Sequence, residues 1–349
     1  MGSLERIDLN FYGERVCIQS DWSEVLCLLK KDFSAFVVPD DHKKSAKVLT
    51  VSIFKEEPRT VQIPSMVSKM QSLNAISYQE GSTRYSDFYG KLLSIFDYKS
   101  EVASLYSLDM EKLHEISYLL VLSRVGKRLD LKSLHKLHAF AISYNNLVFV
   151  CMMPMKGGKS TLLLELLKND KVKMISDDIP LVDIRGRVFA FPLKIGVNVL
   201  DGSFPIFEPA ENIYHLNREL YGPKTFICLN GLQDKFERPG VFFNKVIVAE
   251  AFRFNSTQTL IASASFLKTF KGLFKHGVIG IGTPIVVEYF WEFGFRDLIT
   301  KSIIFLRRFY AFFVLGLKSK KLSIFLGKDP VTAAKEIIDY LERSDSSGN

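Results

Sequence analysis

The chain has few cysteines, no secretory leader pattern and no long uninterrupted apolar run, and each absence narrows what it can be. Its four cysteines, Cys17, Cys27, Cys151 and Cys228, stand far apart among 349 residues. No Cys-x-x-Cys pair occurs, so neither a zinc site nor a disulfide framework is expected, and a reducing, cytoplasmic setting fits. The opening MGSLERIDLN lacks the apolar stretch of a signal peptide, and Arg6 stands where a myristoylation motif would carry Ser or Thr. Without a secretory signal, the glycosylation pattern Asn255-Ser256-Thr257 reads as chance. The greasiest stretch, Ser302 to Leu317, is broken by Arg307 and Arg308, and the apolar run after these two arginines is too short to span a bilayer. No transmembrane segment is therefore expected. That stretch reads as a buried helix or strand pair with basic residues at its edge, the alternative being a helix on a membrane surface.

Charge of neither sign dominates. Lys and Arg total 46 against 38 Asp and Glu, a mild positive excess that favours anionic partners such as nucleotides, acidic peptides or phospholipid headgroups. The basic residues are spread along the chain and form no stripe interleaved with aromatics, so no nucleic-acid partner is expected. An apolar content of 47% in a chain of this length can bury two cores, which sets two domains as the working organisation. Repeats and low-complexity tracts are absent.

The first third reads as short strands and turns. Phe11-Tyr12-Gly13 between RIDLNF and ERVCIQ predicts an opening hairpin. Asp21 with Glu24 has the form of a capping box before a helix whose Val25, Leu26 and Leu29 share a face with Trp22. KVLTVSIF and YGKLLSIFDY are further strands. A second helix starts at the N-cap Asp109 and runs through Leu113, Ile116, Leu120 and Leu129 into KSLHKLHAFAIS, with the domain junction inside it. Near the end, Asp329-Pro330 starts a helix with Ala334, Ile337, Ile338 and Leu341 on one face. The domains expected are 1–125, a small α+β unit that positions an acceptor, and 126–343, an α/β catalytic unit. A disordered tail, 344–349, comes last.

The chemistry concentrates in the second half. LVFVCM, from Leu147 to Met152, is a continuous apolar run like a buried parallel strand, and LLLELL after Thr161 is helical in character. Between them lies PMKGGKS. A strand, a glycine-containing loop and a helix opening on Lys-Ser is the setting of a phosphate-binding loop. Lys156, Gly157, Gly158, Lys159, Ser160 and Thr161 are its candidate nucleotide-binding residues: backbone N–H groups facing a β-phosphate, Lys159 reaching the β and γ oxygens, and the Ser160 hydroxyl on Mg²⁺. The full pattern begins with glycine where this chain has Met153, and a glycine would ease the turn out of the strand. Downstream, VKMISDD ends an apolar run in the paired carboxylates Asp177 and Asp178. Carboxylates at the end of a parallel strand open on the same crevice as the loop, where one can orient Mg²⁺ and the other accept a hydroxyl proton.

From Leu137 to Pro192 the sequence resembles the core of HPr kinase/phosphorylase and its HPr-kinase-related relatives: a Leu-His-Ala entry, a strand, a Gly-Lys-Ser loop, a helix and an Asp-Asp pair. Weaker likeness extends to FPLKIGV and GKDPVTAAKEIIDYL, and the opening FYGERVCIQSDWSEVLCLLKKDFSAF resembles the N-terminal domain of relatives found beside peptide-modifying systems, lasso-peptide kinases among them. The acidic signature downstream of the Asp pair in the true HPr kinases is missing, which sets HPr and phosphorylase activity aside. The resemblance implies a P-loop-containing HPr kinase/PEP carboxykinase-like catalytic domain behind the smaller α+β domain. It implies a Mg²⁺- and ATP-dependent serine kinase acting on a peptide or small protein, with Asp177 as general base and His138 on the family's histidine. Asp178 and Ser160 then take the metal side. Alternatives are a small-molecule kinase on the same fold and a nucleotide-binding regulatory protein without catalysis. Among the basic residues Lys194, Arg218, Lys224 and Arg253, Lys194 and Lys224 are chosen as phosphate or acceptor contacts. His138 is read as lying on an apolar helix. His135, near it, lacks a carboxylate or thiol to complete a zinc set. Homo-oligomerisation is left open.

Overall fold

The computed structural model describes residues 4–39, 48–154, 157–197, 212–218, 222–230, 232–284 and 286–346, which form a mixed α/β protein of several sheets and helices. They divide into two compact units, each discontinuous in sequence. The first takes Met1–Arg128, Leu216–Pro223 and Pro284–Leu298; the second takes Leu129–His215, Lys224–Thr283 and Ile299–Asn349.

The first unit is built on a nine-stranded sheet. Its strands are β1 (Glu5–Phe11), β2 (Glu14–Ser20), β3 (Val37–Val38), β4 (Leu49–Lys55), β5 (Ser68–Gln71), β6 (Ile76–Glu80), β7 (Thr83–Asp87), β8 (Leu93–Asp97) and β9 (Val102–Ser107), in the order β3-β1-β2-β4-β9-β8-β7-β6-β5. The expected hairpin opens it. Tyr12 and Gly13, at φ 54° and 85°, give the two left-handed residues whose twist matches a two-residue connection between antiparallel strands. Helix α1 (Ser23–Asp32) buries Val25, Leu26 and Leu29 as its spacing predicts. Asp21 does not cap it. Its Oδ1 accepts the backbone N–H of Lys55 at 2.9 Å, a partner 34 residues away that local pattern cannot reveal, and the helix starts after Trp22 without a side-chain cap.

Helix α2 (Met110–Leu131) does begin on its expected cap, Asp109 Oδ1 accepting the N–H of Lys112 at 3.0 Å. It stops at Leu131, and Ser133 turns the chain out at φ 62°. KSLHKLHAFAIS is therefore not helical. It supplies β10 (Leu134–Lys136) and β11 (Phe140–Tyr144), so His138 sits between two strands and not on a helix.

The rest of the chain adds β12 (Leu147–Met152), α3 (Lys159–Leu166), β13 (Val172–Ser176), β14 (Leu181–Asp183), β15 (Val188–Phe189), β16 (Ile195–Val197), β17 (Ile213–Arg218) and β18 (Gly222–Ile227). Then come β19 (Phe242–Phe243), β20 (Lys245–Arg253), β21 (Leu260–Ser263), α4 (Phe266–Leu273), α5 (Val287–Phe290), α6 (Phe295–Lys318), β22 (Lys320–Leu326) and α7 (Pro330–Ser346). The second unit's main sheet has the order β13-β11-β12-β20-β22-β21. β12, β20 and β22 are mutually parallel, and β11 runs against both β12 and β13. Hence β13 also points with β12. The C-terminal ends of β12, β13 and β20 and the start of β11 thus emerge on one edge.

Helix α6 is a single helix. It presses Phe312 and Leu315 into a core with Val148, Val150 and Val248 of the sheet. Its Arg308 is not at an edge, as its sequence context suggests, but buried, where Nε and Nη2 donate to the two oxygens of Asp130 at 2.9 and 2.5 Å. His135 Nδ1 lies 2.9 Å from the same carboxylate, so that histidine is engaged within the core. No helix of the described residues is long and apolar enough to cross a membrane. Helix α7 is capped by Asp329, whose Oδ2 accepts the N–H of Thr332 at 3.0 Å, and buries Ala333, Ala334, Ile337 and Leu341. It continues through Ser346, so Ser344–Ser346 of the expected tail are helical; 347–349 lie outside the described residues.

The Asp130–Arg308 pair carries a stability prediction. Burial raises the Asp130 pKa, but Arg308 and His135 outweigh it and hold the carboxyl down to about 2. A carboxyl depressed in the folded state stabilises above its unfolded pKa, and that contribution fades as the pH falls through the folded value. Denaturant melts should therefore lose stability between about pH 4 and 2. Asp130→Asn, which strands a buried guanidinium, should cost roughly 3–5 kcal/mol, whereas Asp130→Leu with Arg308→Met should recover most of it. A single Asp130→Asn protein as stable as the wild type, by urea denaturation, would contradict the assignment.

Candidate functional site

The loop between β12 and α3 is shaped by its glycines. Gly157 donates its N–H to the Pro154 carbonyl at 3.0 Å, and a Cβ there would lie 2.8 Å from that oxygen. Gly158 is left-handed, at φ 93°, and forms the N-cap of α3. Met153 is buried in the core and its backbone lies outside the left-handed region. The turn out of β12 is thus made without glycine at that position, and the two glycines farther along carry the tight geometry. Lys159, Ser160 and Thr161 form the first turn of α3, whose leading N–H groups have no intrahelical partner and carry the positive end of the helix dipole. Buried Leu162, Leu163, Leu164 and Leu166 anchor the helix behind them. Lys156 lies outside the described residues.

The shared sheet edge brings the candidate side chains together. Lys159 Nζ donates to Asp178 Oδ1 at 2.6 Å and contacts His138 Nε2, which itself lies 3.2 Å from Asp178 Oδ1. Ser160 Oγ donates to Asp177, 3.0 Å from Oδ1 and 3.2 Å from Oδ2, and the Gly196 N–H donates to Oδ2 at 3.3 Å. The contacts therefore pair Ser160 with Asp177, and Asp178 with Lys159 and His138, where the sequence reading joins Ser160 to Asp178. The two carboxyls differ in acidity. Burial and the neighbouring Asp178 charge push Asp177 up to about 6, against Lys224 and Lys159. Burial acts on Asp178 too, but the His138 hydrogen bond and the Lys159 charge hold it far below the carboxylate range.

Of the two chosen lysines, Lys224 acts on Asp177. Lys224 Nζ would lie 2.5 Å from a Cβ on Gly196, so the bare strand β16 lets that ammonium approach the Asp177 side of the site. Lys194 Nζ donates to the Tyr214 hydroxyl at 2.7 Å and lies 4.1 Å from the centre of the Phe226 ring. The Arg218 side chain is outside the described residues. Arg253, passed over in the sequence, reaches the loop itself. Its Nε donates to the Gly157 carbonyl at 3.1 Å, and a Cβ on Gly158 would sit 2.5 Å from its Nη2. The signal lies in strand register, because Met152 pairs with Glu250 and β20 then runs on beside the loop.

A further segment packs on His138. The His138 N–H donates to the His276 carbonyl at 3.0 Å, the two imidazole centres are 5.5 Å apart, and Gly282, at φ 90°, packs so close to the His138 ring that a Cβ there would overlap it. Burial, with His138 and nearby lysines, lowers His276 to about 4 and keeps it neutral. Among the described residues no cluster of three or more His, Cys, Asp or Glu is arranged to hold a metal ion by itself. The Ser160 hydroxyl and Asp177 carboxylate are nonetheless hard oxygen donors side by side, and the raised pKa of Asp177 marks a carboxylate short of compensating charge. That donor set fits Mg²⁺, which takes one or two carboxylates and otherwise relies on water and phosphate oxygens.

No protein-family profile matches the chain, and no curated protein is significantly similar to it.

Gly282 supplies a test of the His138 contact. Its backbone conformation resists side chains, and a Cβ would fall 2.1 Å from His138 Cε1. Gly282→Ala should cost roughly 1–3 kcal/mol in denaturant melts and shift the His138 imidazole resonances by NMR. Unchanged His138 signals would show that the ring is not held there.

Proposed function

We propose that the protein is an ATP-dependent kinase with a P-loop-containing, HPr-kinase-like catalytic domain, transferring the γ-phosphate to a serine or similar hydroxyl of a peptide or small protein. The observation that carries this reading is the convergence of the loop lysine Lys159, the Ser160–Asp177 pair and the His138–Asp178 pair on one sheet edge. Each group has work to do in phosphoryl transfer, where the protein chiefly positions reactants and neutralises charge.

The leading N–H groups of α3 and the loop backbone bind the phosphates, and Lys159 and Arg253 offset their charge from two sides. Ser160 and Asp177 would hold Mg²⁺, which when bound neutralises charge on the β and γ oxygens. Asp177 takes the proton from the acceptor hydroxyl as its oxygen bonds to the γ-phosphorus and the bond to the ADP oxygen breaks. Burial and the Asp178 charge raise that carboxyl to about 6 in the metal-free site; bound Mg²⁺ would lower it, so the proton is shared through the carboxylate oxygen that is not on the metal. Asp178 touches no donor of the Ser160 side; it holds Lys159 and His138 in place. His138, in contact with Lys159 and Asp178, then stands as a hydrogen-bonding group for the acceptor. Lys224 stands on the Asp177 side, where an acceptor would enter.

Titration calorimetry with ATP and Mg²⁺ tests the nucleotide site. Lys159→Ala should weaken binding by about 10- to 150-fold, the worth of a charged hydrogen bond of roughly 1.5–3 kcal/mol. Equal affinity would remove the loop from consideration. Single-turnover transfer from γ-labelled ATP to serine-containing peptides tests the chemistry: Asp177→Asn should slow it by roughly 10²- to 10⁴-fold. Transfer by that variant at the wild-type rate would overturn the role of Asp177.

A further inference from the structure

The outer face of helix α6 is the least expected surface of the second unit. From Ile299 onward, Ile303, Leu306, Tyr310 and Leu317 recur along one side of the helix, with Leu306 65%, Tyr310 57% and Leu317 55% exposed. The opposite side buries Ile304, Ala311, Phe312 and Leu315. A helix with apolar residues on both sides normally has something covering each of them.

That face is rigidly mounted. Phe270 of α4 meets Phe309 and Phe313 of α6 edge-on, with ring centres 5.5 and 5.6 Å apart, and Phe274 meets Phe305 at 6.3 Å. Leu267 of α4 is 78% exposed. The two helices form one layer with apolar side chains standing out from it.

Charge says what covers the layer. Asp297 is the lone acidic residue in the α6 sequence, and it is buried, whereas Arg307 and Lys318 are exposed on one flank of the apolar strip, three turns apart. Helix α4 and the π-helical turn after it, FLKTFKGLFKHGV, contain no acidic residue and expose Lys268, Lys271 and Lys275. Half-buried Glu250 is within electrostatic reach of these three lysines and offsets only part of their charge. A second copy of the chain meeting this face on itself would set cations against cations. A bilayer carrying anionic lipid supplies both complements at once: acyl chains for the apolar strip, phosphates for its basic flank. Tyr310, amphipathic, suits that boundary. Spanning is excluded for α6 itself, since Arg308 is tied to Asp130 inside the protein.

We infer that the α4–α6 face docks the protein on anionic membrane surfaces, with α6 lying in the plane of the headgroups. The inference is independent of the kinase reading. Co-sedimentation of the full chain with vesicles tests it. Binding to phosphatidylcholine vesicles containing phosphatidylglycerol should exceed binding to phosphatidylcholine alone and weaken with added salt. Leu306→Asp with Leu317→Asp, both exposed positions, should abolish it with circular dichroism unchanged. Arg307→Glu with Lys318→Glu should weaken it more than about tenfold, at about fivefold for each basic side chain near an anionic leaflet. No vesicle binding, equal binding to both vesicle types, or binding that survives the leucine replacements each overturns the proposal. So does a dimer that the leucine replacements dissolve in the absence of any vesicle binding, which would give the face to a second copy.

Discussion

The common direction of β12, β13 and β20 is the constraint on which the rest of the site depends. Parallel strands send their C-terminal ends to one edge, and the single reversed strand among them, β11, begins there. His138 before β11, the glycine loop after β12, the aspartates after β13 and Arg253 at the end of β20 are thereby gathered from segments more than a hundred residues apart. None of these side chains holds its position through its own element alone. A slip of one residue between β12 and β20 would turn Arg253 away from Gly157, because alternate residues of a strand face opposite ways.

Within that gathering, burial and charge are set against each other. Asp177 and Asp178 are adjacent in sequence, the first buried and the second partly exposed, and they end on opposite sides of the ordinary carboxylate range. Partners decide this. Asp178 has Lys159 and His138 in direct contact, whereas Asp177 has a hydroxyl, a backbone N–H and a more distant ammonium. Two like groups with separated acidities are the usual arrangement where one gives or takes a proton and the other stays charged. The same logic in the core makes Asp130 a fixed anion, with Arg308 and His135 both directed at it.

What could be read from the sequence was local. The Tyr12-Gly13 turn, the Asp109 and Asp329 caps and the strand–loop–helix around Gly157-Gly158 each depend on residues within a few positions, and they stand where the pattern places them. Asp21 does not cap α1 because a backbone group 34 residues away claims its carboxylate. KSLHKLHAFAIS carries helix-like spacing, but left-handed Ser133 ends the helix and pairing with β14 and β12 draws the segment into sheets. Arg253, Gly282 and His276 could not be found that way, since only strand register and the packing of a distant turn bring them to the loop and to His138. The partner of each aspartate was likewise beyond reach: alternation along a strand end does not say which of two neighbours faces Ser160.

Lys159 is already engaged in the resting molecule, bonded to a carboxylate and touching an imidazole. An incoming anion must displace Asp178 before it can have that ammonium to itself. On the kinase reading proposed above, a lone chloride or inorganic phosphate would gain little from the exchange, while a chain of linked phosphates would lodge first on the helix terminus and then compete for the lysine from close range. The internal ion pair would then act as a filter, favouring anions long enough to hold on at two points.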